Sequence, residues 1–163
     1  MSLFTVGKDF LGIFYNFQMF LSKHLDSLRL TNIEFSLLYM LYNANGTSQD
    51  ELSKLTYLDK ATVSRGIKSL EEKDYVFRVK DKVDKRVKSV YLTEKAYEKR
   101  DQIDQLVRDW YSRMMEGVTE LQAAQFFDTL GTIRRNADSI AADLHYPVHM
   151  AASASMNEPT YPV

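Results

Sequence analysis

A mostly α-helical fold carrying one small β-hairpin is predicted by three features of this 163-residue chain. Glycine and proline are scarce, six and three in number, which leaves little room for long loops. Helix-start signatures of the form Ser/Thr-x-x-Glu/Gln recur at Thr31, Ser48 and Thr119. Between them, residues 75–92 exchange helical spacing for β-branched and aromatic residues around a charged turn.

Composition narrows the class further. With 45% hydrophobic and 12% aromatic residues, the chain can bury a core. It has no cysteine, which excludes a disulfide scaffold, a thiolate metal site and a thiol redox switch. No apolar run reaches the length of a membrane span, and the start lacks a basic region followed by a cleavage site, so a cytoplasmic protein without membrane contact is expected. The net charge of −1 hides an asymmetry: residues 54–100 hold 14 Lys and Arg against 8 Asp and Glu. The remainder holds 7 against 14. A basic middle between acidic ends suits one surface that meets a polyanion.

The elements follow in order. Residues 3–28 read as a helix whose stripe of Leu3, Phe4, Phe10, Leu11, Phe14, Phe17, Leu21, Leu25 and Leu28 keeps near-helical spacing. Ile13, Tyr15, Met19 and Phe20 fall outside that stripe, so the helix needs cover from more than one side, and a second subunit is expected to supply it. Thr31 and Glu34 form a capping box, with Leu30 and Phe35 at the positions of a hydrophobic staple. Asn43-Ala-Asn-Gly46 stops that helix. Ser48 and Glu51 form a second box opening a short helix through Leu55, with Leu52 and Leu55 turned inward.

Asp59 can cap a third helix running to about Lys73, with Val63, Ile67 and Leu70 as one inward stripe. Thr62, Ser64, Arg65, Lys68 and Ser69 lie off it. Two short helices joined by a brief turn, the second presenting small polar and cationic residues, make a helix-turn-helix. Tyr75–Lys80 and Val87–Leu92 read as paired strands, which complete a winged helix. Thr93 caps the next helix, where Ile103, Leu106, Val107, Trp110, Tyr111, Met114, Met115 and Val118 repeat at helical spacing up to Gly117. Thr119 opens the last helix, with Leu121, Ala124, Phe127, Leu130, Ile133, Ala137, Ile140, Ala141 and Leu144 expected to face inward. The domain reading is an N-terminal dimerisation helix (1–30), a winged helix-turn-helix lobe (31–93), C-terminal dimerisation helices (94–145) and a flexible tail (146–163).

The exposed chemistry suits double-stranded DNA. Phosphates supply most affinity to such a module and base edges its selectivity. Thr62 and Ser64 are short hydroxyl donors and acceptors, and Arg65 can fork onto a guanine edge in the major groove. Lys60 and Lys68 suit phosphates, as do the amides at the helix start beside Ser48. Lys82, Lys85 and Arg86 stand at the hairpin tip, where a guanidinium fits the negative potential of a narrow minor groove. Asp84 is placed to fix the Arg86 side chain or the turn. Taken singly, each of these residues is equally an ordinary solvated charge; their arrangement carries the reading.

These residues resemble the MarR family of winged-helix transcription regulators, from about residue 5 to 144. The family's wing signature, Asp-x-Arg followed by Leu-Thr, matches Asp84, Arg86, Leu92 and Thr93. Its recognition-helix pattern matches Thr62–Arg65. A Leu-Glu-x-Lys-Gly turn matches Leu70–Lys73 with Asp74 in place of Gly, a residue that tolerates the left-handed conformation of a helix stop. Ala96 replaces a frequent Gly after the Leu-Thr pair. The resemblance implies a homodimer whose first and last two helices make the contacts, whose recognition helices enter successive major grooves of a pseudo-palindromic operator, and whose Arg86 enters the flanking minor groove. It also implies a ligand-responsive repressor, released by a small aromatic effector.

For such an effector, Phe14, Tyr15 and Tyr39, with Phe17 and Tyr42, are the candidate cleft; a plain core or dimer interface accounts for the same rings. No cofactor or metal is expected: Pro147 breaks the helical alignment of His145 and His149, and His24 stands alone. No nucleophile–base pair or glycine-rich phosphate loop points to an enzyme. The competing reading is a winged-helix protein-interaction module without specific DNA binding.

Overall fold

The structure is a computed structural model that describes residues 3–80 and 88–143. The hairpin tip with Lys82, Asp84, Lys85 and Arg86, and the tail with Leu144, His145 and His149, lie outside the described residues.

Among the described residues, six α-helices and a three-stranded antiparallel sheet follow one another: α1 (Leu3–Leu25), α2 (Asn32–Asn43), β1 (Thr47–Ser48), α3 (Gln49–Thr56), α4 (Lys60–Glu72), β2 (Val76–Lys80), β3 (Lys88–Leu92), α5 (Glu94–Met114) and α6 (Glu120–Asp143). The predicted first helix ends at Leu25; Asp26–Leu28 tightens into a 3₁₀ turn, and Arg29 takes a left-handed conformation with φ of 52°. The sheet order is β1-β3-β2, with Val76 opposite Leu92 and Arg78 opposite Val90. The hairpin is therefore the predicted one, while β1 is an addition: Thr47 pairs with Val90 and Ser48 with Ser89.

Local chemistry sets the helix starts. Thr31 Oγ1 accepts the Glu34 amide at 3.2 Å and the Glu34 carboxylate accepts the Thr31 amide at 2.7 Å, a complete capping box. At Ser48 only half of the expected box forms. Its hydroxyl accepts the Glu51 amide at 3.2 Å, but the Glu51 carboxylate pairs with Lys54 at 3.2 Å. Lys54 sits one turn along α3, so the carboxylate gains a full opposite charge there instead of a neutral amide. Thr93 caps α5 and accepts the Ala96 amide at 3.3 Å. Thr119 and Gln122 exchange bonds of 3.0 and 3.3 Å at the start of α6.

The core sits between α2, α3, α4 and the sheet, closed by the C-terminal half of α1 and the start of α5. Leu37, Leu38, Leu41, Leu52, Val63, Ile67, Leu70, Val90 and Ile103 are fully buried there. Leu30 and Phe35, the staple pair, are buried as well, whereas Leu55 is only half-buried. Gly66 lets α2 and α4 pack closely: a Cβ at that position would lie 2.5 Å from Leu37 Cδ1 and 3.2 Å from Ile33 Cγ2, so those side chains would have to shift to admit it.

The last helix departs from expectation. No residue of α6 is buried, and the stripe expected to face inward leaves Leu121, Ile133 and Ile140 exposed. Its Phe127 stacks on Tyr111 of α5 at 6.1 Å. The N-terminal half of α1 is similar: Phe10, Leu11, Ile13, Phe14, Tyr15 and Met19 are all exposed. Among the described residues, no further layer lies against these faces.

Candidate nucleic-acid interface

Helix α4 separates two chemistries around its circumference. Val63, Gly66, Ile67 and Leu70 are buried against the core. Lys60, Ser64, Arg65 and Lys68 are exposed on the opposite side, with Thr62 half-buried at the edge. This phase follows from the spacing of the apolar residues, and it places all five predicted α4 positions on one accessible surface.

The start of α4 is organised by Asp59. One of its carboxylate oxygens accepts the Thr62 amide at 2.8 Å, which is the helix cap, and the other accepts the Thr62 hydroxyl at 2.6 Å. The Thr62 oxygen in turn accepts Arg65 Nη2 at 3.0 Å. The Thr62 hydroxyl bond, followed by its amide, holds the Asp59 carboxyl below its ordinary range, so the group is ionised at neutral pH. The other cations of the helix have partners too. Lys60 meets Asp50 of α3 at 2.9 Å, with both side chains well over half exposed, and Lys68 approaches Glu72 at 3.8 Å. Such exposed pairs exchange readily with a stronger anion.

Ser48 is half-buried beside this surface, at the start of α3. Asp50 and Glu51 already place negative charge in that first turn, which weakens it as a phosphate site. On the hairpin, Arg78 does not join the basic face: its guanidinium engages Glu71 of α4 through Nε, at 2.9 Å, and Nη2. That bidentate pair ties the wing to α4. Lys80 and Lys88 face one another across the hairpin register, and both are exposed. Like charges directly opposed in a sheet are unfavourable unless a counter-charge arrives.

Glu34 holds α4 in place from behind. It is 2% exposed and accepts Ser69 at 2.6 Å and Lys73 at 2.7 Å, in addition to the Thr31 amide. Burial, the largest effect, pushes its carboxyl up; the hydrogen bonds from Lys73, Ser69 and Thr31 outweigh it, and the net shift is downward. Lys73 also donates to the Arg29 carbonyl at 2.8 Å. The capping signature explained Glu34 locally and gave no sign of these distant partners.

The candidate effector rings divide between two environments. Phe14 and Tyr15 are exposed, Tyr39 is half-buried and stacks on Phe35 at 5.7 Å, and Phe17 packs on Trp110 at 5.4 Å. Tyr42 is in the core and donates to the Ala96 carbonyl at 2.6 Å. Among the described residues, no group of three or more His, Asp or Glu side chains could hold a metal ion, and no helix is long and apolar enough to cross a membrane.

Comparison with known proteins agrees with this geometry. Residues 30–88, spanning α2 to the start of β3, match the model of the MarR family. An uncharacterized HTH-type transcriptional regulator of Bacillus subtilis, YdgJ, is 29% identical over 113 residues, covering 69% of each chain. The crystal structure of a MarR transcriptional regulator from Methanosarcina mazei superposes with a TM-score of 0.79 at 26% identity, over 83% of this chain and 98% of that one. A mutant Escherichia coli MarR solved in complex with operator DNA shares the fold, with a TM-score of 0.71 at 24% identity over 82% and 99% of the two chains.

Proposed function

We propose that this chain, which is similar to MarR-family transcription regulators, is one of them and acts as a homodimeric repressor that binds a pseudo-palindromic operator through α4 and the wing. The observation that carries the proposal is the row of Lys60, Ser64, Arg65 and Lys68, exposed on a helix whose opposite face is wholly buried. A rigid helix that offers cations and short hydroxyls outward suits the major groove, with Arg65 as the base-reading group and Lys60 and Lys68 on phosphates. Arg86, outside the described residues, is proposed for the adjoining minor groove, with Lys82 and Lys85 on its flanks and Asp84 steadying it. Lys80 and Lys88, opposed on the wing, gain a counter-charge if the backbone of the duplex lies against them.

Dimerisation is supported by the uncovered apolar faces of α1 and α6, where Leu11 is 70% and Leu121 69% exposed. Large apolar side chains left exposed on two helices are characteristic of an assembly face. A small aromatic effector would regulate this dimer only by binding DNA-competent and DNA-incompetent spacings of the two lobes unequally.

The deciding experiment selects bound duplexes from a random pool and then titrates salt against the selected sequence and a scrambled one. Enrichment of an inverted repeat, with a steep fall in affinity as salt rises, is the expected result. Equal affinity for both duplexes, or none for either, would leave the scaffold as a protein-interaction module.

A further inference from the structure

Asp59 is an odd residue to find at the tip of a DNA-reading helix, because its carboxylate is exposed and carries the same sign as a phosphate. Capping alone does not call for it, since Asn and Ser cap as well as Asp. Its second oxygen does something a neutral cap does less well. It accepts the Thr62 hydroxyl at 2.6 Å, which commits that proton and turns the Thr62 lone pairs towards Arg65 Nη2, 3.0 Å away. Donor and acceptor directions are thereby set along the whole chain, from guanidinium to hydroxyl to carboxylate, and each bond polarises the next.

We infer that Asp59 is a specificity-determining positioning residue, which acts through the Thr62 hydroxyl to pre-orient Arg65 for a base edge and through its charge to disfavour contacts with phosphate alone. This rests on the DNA-binding reading above. A freely rotating arginine gains nearly as much from any nearby phosphate as from a guanine, so restraint of its side chain favours the one geometry in which the fork fits. Asn at this position keeps the cap, but its amide nitrogen can only donate. The Thr62 hydroxyl then loses its fixed acceptor, and its proton competes with Arg65. Asp50 provides the contrast: it meets Lys60 at 2.9 Å, touches none of this chain, and can act on DNA affinity only by charge.

The test measures affinity for the duplex best enriched from a random pool and for its scrambled counterpart, using the full chain. Asp59→Asn is expected to raise binding to the scrambled duplex and to lower the selected-to-scrambled ratio by about fivefold. Asp50→Asn should raise both affinities together and leave the ratio unchanged. In an Arg65→Ala background, Asp59→Asn should produce no further fall in the ratio, because the residue through which it acts is gone. A wild type that prefers its selected duplex while D59N keeps the same ratio overturns the inference alone. So does a D59N effect of equal size with and without Arg65. A wild type without preference overturns both this inference and the function on which it rests.

Discussion

Glu34 and Lys73, 39 positions apart, meet at 2.7 Å and join the first turn of α2 to the end of α4. The carboxylate is buried while the ammonium stays about one-third exposed, so the pair gains from low dielectric on one side and hydration on the other. Because Ser69 and the Thr31 amide use the remaining acceptor capacity, the charge is fully partnered.

Glu34→Ala is therefore expected to destabilise the protein by about 3 kcal/mol, the scale for removal of one partner from a buried ion pair. Glu34→Gln should cost less, since its amide oxygen can still accept a bond from Ser69 or Thr31. Urea denaturation of both variants checks the order; equal losses would mean that the charge contributes nothing.

The same carboxyl makes a pH-dependent contribution. Its folded value lies below the ordinary 4.5, so the stabilisation it supplies is fully present above that pH and is lost as pH falls through the folded value. Wild-type stability measured from pH 6 to pH 3 should fall more steeply than that of Glu34→Gln, with the two curves drawing together in acid.

At Gly66, helix propensity and packing oppose one another. Alanine gains about 1 kcal/mol in propensity, but its Cβ would meet Cδ1 of the fully buried Leu37 at 2.5 Å. Overpacking costs about 1–3 kcal/mol, so Gly66→Ala should be net destabilising, and Leu37→Val should recover part of the loss. A thermal melt of the single and double variants shows whether the two positions are coupled.

Arg65→Ala is expected to reduce affinity for the selected duplex by about 1–3 kcal/mol and to relax selectivity at one base pair. Lys60→Ala should weaken all duplexes alike and lower the slope of log affinity against log salt by about 1. Fluorescence anisotropy at several salt concentrations separates these behaviours.

Assembly has its own test. Leu121→Glu and Leu11→Glu place a charge on faces that are exposed among the described residues. Sedimentation equilibrium should find two chains per particle for the wild type and a shift towards one for the double variant, with DNA affinity lost in parallel. Unchanged mass would remove these faces from the interface.

Short-range chemistry was legible from the order of residues alone. The caps at Thr31, Asp59, Thr93 and Thr119, the stripe of Val63, Ile67 and Leu70, and the left-handed Asp74 at φ of 60° all involve residues within four positions of one another. Such interactions depend on backbone geometry that a helix or turn repeats everywhere, so spacing suffices to predict them. The exposed face of α4 was legible for the same reason.

Tertiary structure decided what depends on distant partners. It brought Thr47–Ser48 to β3, Lys73 to Glu34, Glu71 to Arg78, and the Leu37 side chain to within 2.5 Å of where a Cβ at position 66 would lie. It also showed that the periodic apolar stripe of α6 has no cover among the described residues. Periodicity states that a face is apolar; only the packing of separate elements settles whether that face is covered by its own chain.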